Sequence, residues 1–355
     1  MKKPTPLESL IVAMIREDGP MPLDRYMALC LGHPLHGYYM SRDPFGPDGD
    51  FITAPEISQI FGELVGIWCA AAFQALGTPS RFSLIELGPG RGTLMSDVLR
   101  ATRVMPGFND GAQIHLVETS PTLRKLQSEK LGAQVTWHET VDSLPDGPSI
   151  IIANEFFDAL PIRQYEFHQG QWMERRIGLS ADDRLVLGRT AFPLAGPPAS
   201  EGAIFETGPT RDDIARRIGA HLARFPGALI VFDYGHAASA LGDTLQAVRR
   251  HKFCSILDRP GEADLTSHVD FESLRRALTQ GGAVIFGPIT QRQFLLAMGI
   301  ETRAALLSRK AKLAERKIIA HATERLAGEN QMGNLFKVMA ATSPGLATPY
   351  PFGSP

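Results

Sequence analysis

Four groups of residues in this 355-residue chain have types and spacings suited to chemistry. The first is a glycine turn. An apolar run over residues 83–87 carries Glu86 and is followed by Gly88, Gly90 and Gly92 at every second position, then by Thr93, where an amphipathic run over 94–99 begins. Each glycine removes a Cβ where backbone must approach a ligand or take positive φ, which suits the gripping of a nucleotide. A dinucleotide turn wants G-x-G-x-x-G, and its third position here is Thr93, with glycine one residue early. The second group is Glu118, which ends the apolar run 114–117; a carboxylate at a sheet's carboxyl edge accepts both hydroxyls of a ribose, in NAD enzymes as in others. The third is Asn154, Glu155 and Asp158, just past the apolar run 149–153. Their spacing puts Glu155 and Asp158 on one face of a helical turn, unless Asp158 only braces the turn before Pro161 and Asn154 only forms an Asx turn. The fourth is His268 and Asp270, which flank Val269. They suit a proton relay, since His titrates near neutrality. Equally, Ser267 or Asp270 caps a helix over 271–278 while His268 packs as a loop residue. His33 and His36 lie close together, but no third ligand accompanies them and no metal site is expected.

Strands and helices must position these groups. Apolar runs at 83–87, 114–117, 134–138, 149–153, 228–234, 282–286 and 335–341 read as seven strands, alternating with helical patterns. Such alternation predicts an α/β fold: a doubly wound, mostly parallel, seven-stranded Rossmann-like sheet with ligands at the strand carboxyl ends. The interval between the fourth and fifth strands is too long for one crossover. Runs at 163–168, 171–179 and 184–190 predict an inserted antiparallel element within about 162–226, rising over the site. Ahead of the sheet, helical periodicity covers 7–15 and 23–31, and a long helix covers 57–76. Residues 33–56 are rich in Gly, Pro and aromatics and have no period, which predicts a functional loop that closes as a lid on ligand binding. The expected organisation is therefore N-terminal helices and lid over 1–80, a catalytic domain over 81–342 and a disordered tail over 343–355. Residues 303–325 read as one basic helical stretch, either a solvated face or a grip on an acidic partner or RNA.

The composition sets bounds. A formal net charge of −2 predicts no general nucleic-acid binding. Cys30, Cys69 and Cys254 are odd in number and far apart, which suggests buried thiols in a reducing compartment rather than disulfides or zinc. The longest apolar run, 64–76, is too short for a bilayer and includes Gln74, so no membrane insertion is expected. The N-terminus lacks an apolar h-region, and a cytoplasmic address is expected by default.

The glycine turn with its preceding acid resembles motif I of the S-adenosylmethionine-dependent methyltransferases, acidic-x-Gly-x-Gly-x-Gly. Further motifs extend the resemblance over nearly the whole chain: His33, Pro34, His36, Gly37, Tyr38 and Tyr39; the run 49–58 from Gly49, Asp50 and Phe51; 154–161; 264–271; and 332–338. Together they are similar to the MidA-type family of S-adenosylmethionine-dependent methyltransferases, whose mitochondrial members are arginine methyltransferases acting in the assembly of respiratory complex I. The segment 242–251 departs from that pattern, being less basic and aromatic. The resemblance implies S-adenosyl-L-methionine as cofactor, held by Glu86 at the methionine amino group, by Gly88, Gly90, Gly92 and Thr93, and by Glu118 at the ribose. It implies arginine in a protein partner, such as a complex I subunit, as acceptor. Tyr38, Tyr39, Gly49, Asp50 and Phe51 would serve substrate and lid. A guanidinium has delocalised charge and a pKa above 12, so its site must pin the fork with carboxylates, a role open to Glu155 and Asp158. A small-molecule or RNA methyltransferase of the same fold, or a cofactor-binding assembly chaperone with little turnover, are the alternatives.

Overall fold

The computed structural model describes residues 4–41 and 53–353. Its centre is a sheet whose main strands are β1 (Phe82–Leu87), β2 (Ala112–Val117), β3 (Val135–His138), β4 (Ser149–Asn154), β5 (Gly227–His236), β6 (Val284–Thr290) and β7 (Phe336–Thr342), in the spatial order β6-β7-β5-β4-β1-β2-β3. An eighth, two-residue strand, Val269–Asp270, pairs with the end of β5. Strands β1 to β5 are mutually parallel, and β7 runs antiparallel to both β5 and β6. Every residue of β1 and β4 is buried, as continuous apolar strands covered on both faces must be. Ile150 and Ile152 face one core and Ile151 and Ala153 the other. A fully buried isoleucine contributes about 1.5–3 kcal/mol.

Helix α1 (Pro6–Asp18) begins at a capping box between Thr5 and Glu8, and α2 (Leu23–Gly32) follows. On one face of the sheet lie α3 (Gln59–Ala75) and α4 (Thr93–Ala101), which share a core with Phe82, Leu84 and Phe232. Helix α5 (Pro121–Leu131) starts at Ser120, whose hydroxyl accepts from the Leu123 N–H at 3.3 Å. The opposite face carries α6 (Pro209–Arg224) and α7 (Phe271–Gly281). All seven strands expected from the sequence are present, and so are the parallel order and the helices on both faces.

Several expectations need revision. The basic stretch 303–325 is two helices, Ile300–Lys310 and Leu313–Ala327, because Ala311 is extended and Lys312 opens a new capping box with Glu315. Residues 343–353 are tied down rather than loose: the Tyr350 hydroxyl donates to the Ala297 carbonyl at 2.9 Å, and Leu346 and Phe352 pack on the core. The inserted strands Arg163–His168, Gln171–Leu179 and Leu185–Ala191 do form, joined by Ile204–Thr207 and by Met21–Pro22 from the N-terminal region. They do not rise directly over the site. They form a third core with α1 and α2 instead, and α2 reaches the cavity. A further small sheet of Gln246–Arg249, Lys252–Cys254 and Asp264–Thr266 was not expected.

Candidate functional site

At the carboxyl ends of β1, β2, β4 and β5 lies one cavity of about 870 Å³. Glu86, Gly88, Gly90, Thr93 and Glu118 line one part of it, and Asn154, Glu155, Asp158 and His268 another. The structure thus gathers residues from four separate parts of the chain around one space.

The glycine turn works by backbone shape. Gly88, Gly90 and Gly92 have φ of +61°, +51° and +75°, the left-handed region that glycine enters without a Cβ penalty. A Cβ on Gly88 would also lie 3.0 Å from the Phe156 ring. Gly92 is itself the N-cap of α4 and does not line the cavity. Thr93 donates to Glu56 and accepts from Lys130, so the turn is tied to residues on either side. Glu86 is 2 % exposed, and burial pushes its carboxyl up to about 8. Among the described residues its Oε2 has no hydrogen-bond partner. A buried acid with an unpaired oxygen fits a ligand that brings a cationic amino group.

Glu118 is held on one side only. Its Oε1 accepts from the Ser120 N–H at 2.8 Å and its Oε2 from the Gln127 amide at 3.2 Å. An ionised carboxylate has about four lone-pair sites, so two remain for ribose hydroxyls. Burial raises its pKa, and the bonds from Ser120 and Gln127 pull the other way. The Gln127 amide also donates to the Gly90 carbonyl at 2.7 Å while its oxygen accepts from Trp137 at 2.8 Å. Gln127 therefore sets the distance between the glycine turn and the ribose acid.

The other part of the cavity is built on strain and buried acids. Glu155 stands at the end of β4 with φ of +49°, unusual for a side chain of this size. Its N–H donates to the Phe232 carbonyl at 2.9 Å, and Oε1 accepts from the Ala54 N–H at 3.1 Å and the Asn154 amide at 3.3 Å. Buried Asp233, in the carboxyl half of β5, takes the Phe157 and Asp158 N–H groups at 3.0 and 3.3 Å and so folds the 154–158 turn. Burial, then the nearby Asp158 charge, push Glu155 up to about 8. Burial raises Asp158 to about 6 against the pull of Arg211. Among the described residues, Asn154 Oδ1 and Asp158 Oδ1 have no partner. Asp264, which lines the same cavity, accepts from the Tyr39 hydroxyl at 2.8 Å. Such a set of carboxylates favours a cationic group carrying several N–H donors.

His268 lines this cavity, edge-on to the Tyr234 ring at 5.4 Å, and burial lowers its pKa. Asp270 does not join it. Its Oδ1 caps α7 through the Glu272 and Ser273 N–H groups, both at 3.0 Å, and Oδ2 accepts from Ser239 at 2.6 Å. The geometry favours capping over a His268–Asp270 relay, because every oxygen of Asp270 is engaged elsewhere. Tyr38 is buried behind Tyr39 rather than facing the cavity, while Tyr39 lines it. Gly49, Asp50 and Phe51, with the rest of 42–52 in the expected lid, lie outside the described residues. The segment that follows, from Thr53, does reach the site through Ala54 and Glu56. His33 and His36 stack ring on ring at 5.2 Å.

Sequence reasoning missed Gln127, Arg211, Asp233 and Asp264. Arg211, buried at the start of α6, donates to the carbonyls of Asp158, Leu160 and His268 and to the Ser267 hydroxyl, and so clamps two loops of the cavity together.

Comparison with known proteins gives the following. Residues 64–289 match a family model described as S-adenosyl-L-methionine-dependent methyltransferase. The chain is 37% identical, over 92% of its length and 83% of the relative's, to the mitochondrial protein arginine methyltransferase NDUFAF7 homolog of Drosophila melanogaster. It is 34% identical to the mitochondrial protein arginine methyltransferase NDUFAF7 of Homo sapiens, over 95% and 83% of the two chains. A superfamily member from Burkholderia thailandensis, solved bound to S-adenosyl-homocysteine, superposes with a TM-score of 0.85 at 29% identity, covering 98% of this chain and 96% of that one. The mitochondrial names of these relatives overturn the cytoplasmic address expected from the sequence. That address was a default drawn from the lack of an apolar h-region, a feature of secretory signals and not of mitochondrial ones. Among the described residues, no helix is long and apolar enough to cross a membrane.

Proposed function

The chain belongs to the MidA-type family of S-adenosylmethionine-dependent methyltransferases, and from that premise we propose that it methylates an arginine of a protein partner linked to respiratory complex I assembly. The observation that carries the acceptor is the group of acids, half-buried Glu155 with buried Asp158 and Asp264, lining the cavity that also contains Glu86 and Glu118. The names of the curated relatives support the same acceptor.

S-adenosylmethionine, when bound, supplies an electrophilic methyl on a cationic sulfonium. Glu86 pairs with its ammonium, and Glu118 accepts from its ribose hydroxyls. Glu155 and Asp158 bind the guanidinium fork and turn one terminal nitrogen toward the methyl, a contribution of positioning rather than of covalent chemistry. The Phe232 carbonyl and Asp233 hold the 154–158 turn in place before the acceptor arrives. Methylation releases one proton from the attacked nitrogen. A carboxylate oxygen of Glu155 or Asp158 takes it, since both acids bind protons more readily than ordinary carboxylates do.

Incubation of the protein with methyl-labelled S-adenosylmethionine and whole-cell extract tests this. Label should enter protein and appear, after acid hydrolysis, in methylarginine. Label in small molecules or RNA would replace the acceptor, and cofactor binding without any transfer would replace the activity.

A further inference from the structure

One wall of the cavity is the small antiparallel sheet of Gln246–Arg249, Lys252–Cys254 and Asp264–Thr266. Its register pairs Phe253 with Val248, Val248 with Asp264, and Gln246 with Thr266. All five residues line the cavity, so one face of this sheet forms the wall. Residues paired across strands point the same way, and Phe253, Val248 and Asp264 therefore make a row across it. The row runs from open to covered: Phe253 is 76% exposed and Asp264 only 6%. Strands lie about 4.8 Å apart, so the row spans about 10 Å, the length of three residues of extended chain.

A lone exposed phenylalanine is ordinary on a protein surface. This one stands at the mouth of a cavity, in register with one of its buried acids. Charge changes along the same path. Exposed Lys252 precedes Phe253, whereas Glu155, Asp158 and Asp264 lie deeper.

We propose that this wall seats an extended segment of the acceptor protein, with an apolar side chain on Phe253 within about three residues of the methylated arginine, and with neutral or acidic neighbours. The proposal rests on the arginine reading above and adds the sequence context that the site selects. The acids attract one guanidinium, Phe253 is an aromatic anchor of the kind that dominates binding at interfaces, and Lys252 opposes a segment with further basic residues. Selection of this sort acts on acceptor binding and leaves the transfer step alone.

The test uses the full chain as wild type, Phe253→Ala and Phe253→Leu, with labelled S-adenosylmethionine and two kinds of acceptor: whole-cell extract, and nine-residue peptides with a central arginine and either leucine or glycine three positions away. Phe253→Ala should label arginine in extract protein at least tenfold more slowly than wild type, with S-adenosylhomocysteine binding unchanged and Phe253→Leu restoring most of the rate. For the leucine peptide the change should lie in KM rather than kcat. Equal labelling of extract protein by wild type and Phe253→Ala would overturn the docking wall while leaving the arginine reading intact. Weakened S-adenosylhomocysteine binding in Phe253→Ala would assign the residue to the cofactor and overturn it too. No methylarginine from wild type would remove the arginine reading and this proposal together.

Discussion

Replacing Glu86 by Gln should flatten the pH dependence of the free protein's stability. Burial raises the Glu86 carboxyl from 4.5 to about 8, whereas in the unfolded chain it titrates as an ordinary glutamate. Between those values the folded protein holds a proton that the unfolded chain has released, so this contribution to stability is complete below the lower value and is lost as pH rises through the higher one. Each pH unit in the window corresponds to about 1.4 kcal/mol, which puts the ceiling at about 5 kcal/mol for Glu86 alone. Urea denaturation of the free protein at several pH values from 6 to 9 measures it. Wild type should lose stability faster than Glu86→Gln up to about pH 8, with the difference level beyond. A constant offset from repacking would shift one curve without changing its slope. S-adenosylhomocysteine, whose ammonium pairs with the ionised acid, should stabilise wild type more than the variant, and its affinity for the variant should fall tenfold or more. Parallel stability curves would refute the reasoning, because Glu86 would then have a partner in the free protein.

Three further outcomes are expected. Glu118→Ala strands two ribose hydroxyls at about 1–3 kcal/mol each, so calorimetry should show S-adenosylmethionine affinity at least tenfold weaker in a folded protein; unchanged affinity would remove Glu118 from the site. Because burial raises the Glu118 pKa and the ionised form is the better acceptor, cofactor affinity should also fall as pH drops through that raised value. Asp270→Ala should cost about 1 kcal/mol through loss of the α7 cap and leave kcat and its pH profile unchanged, whereas a displaced pH profile would restore the relay with His268. Gly88→Ala forces a Cβ at φ of +61° against Phe156, at about 1–2 kcal/mol for the backbone alone, and should weaken cofactor binding as measured by titration with S-adenosylhomocysteine.

The sheet was legible because parallel strands covered on both faces read as unbroken apolar runs; Ile150, Ile151 and Ile152 need no partner information to be placed. Glu86 and Glu118 were legible for the same reason, since an acid that ends such a run stands at the carboxyl edge. Asp233 follows the unbroken apolar run 228–232 of β5 in that way too, and the same rule would have found it. Asp264 was harder to see, because the strand Asp264–Thr266 has three residues, too few for its polar–apolar–polar alternation to mark a strand. Gln127 and Arg211 were invisible as site residues. Their roles lie in bonds to the Gly90 and Asp158 carbonyls, 37 and 53 positions away in the chain, and backbone acceptors leave no trace in side-chain spacing. The break at Ala311 was hidden because both Ala311 and Lys312 are good helix formers, and only their backbone angles end the helix.

The central claim is that the strained end of β4 receives the acceptor arginine, and Glu155→Gln tests it most directly. The substitution keeps size and hydrogen-bonding capacity but removes the charge that pairs with guanidinium. S-adenosylmethionine binding, measured by calorimetry, should stay within a factor of about three while methyl transfer to protein arginine falls by about a hundredfold or more. Loss of cofactor binding would move Glu155 into the methionine pocket, and transfer at the wild-type rate would mean that the acceptor is held elsewhere.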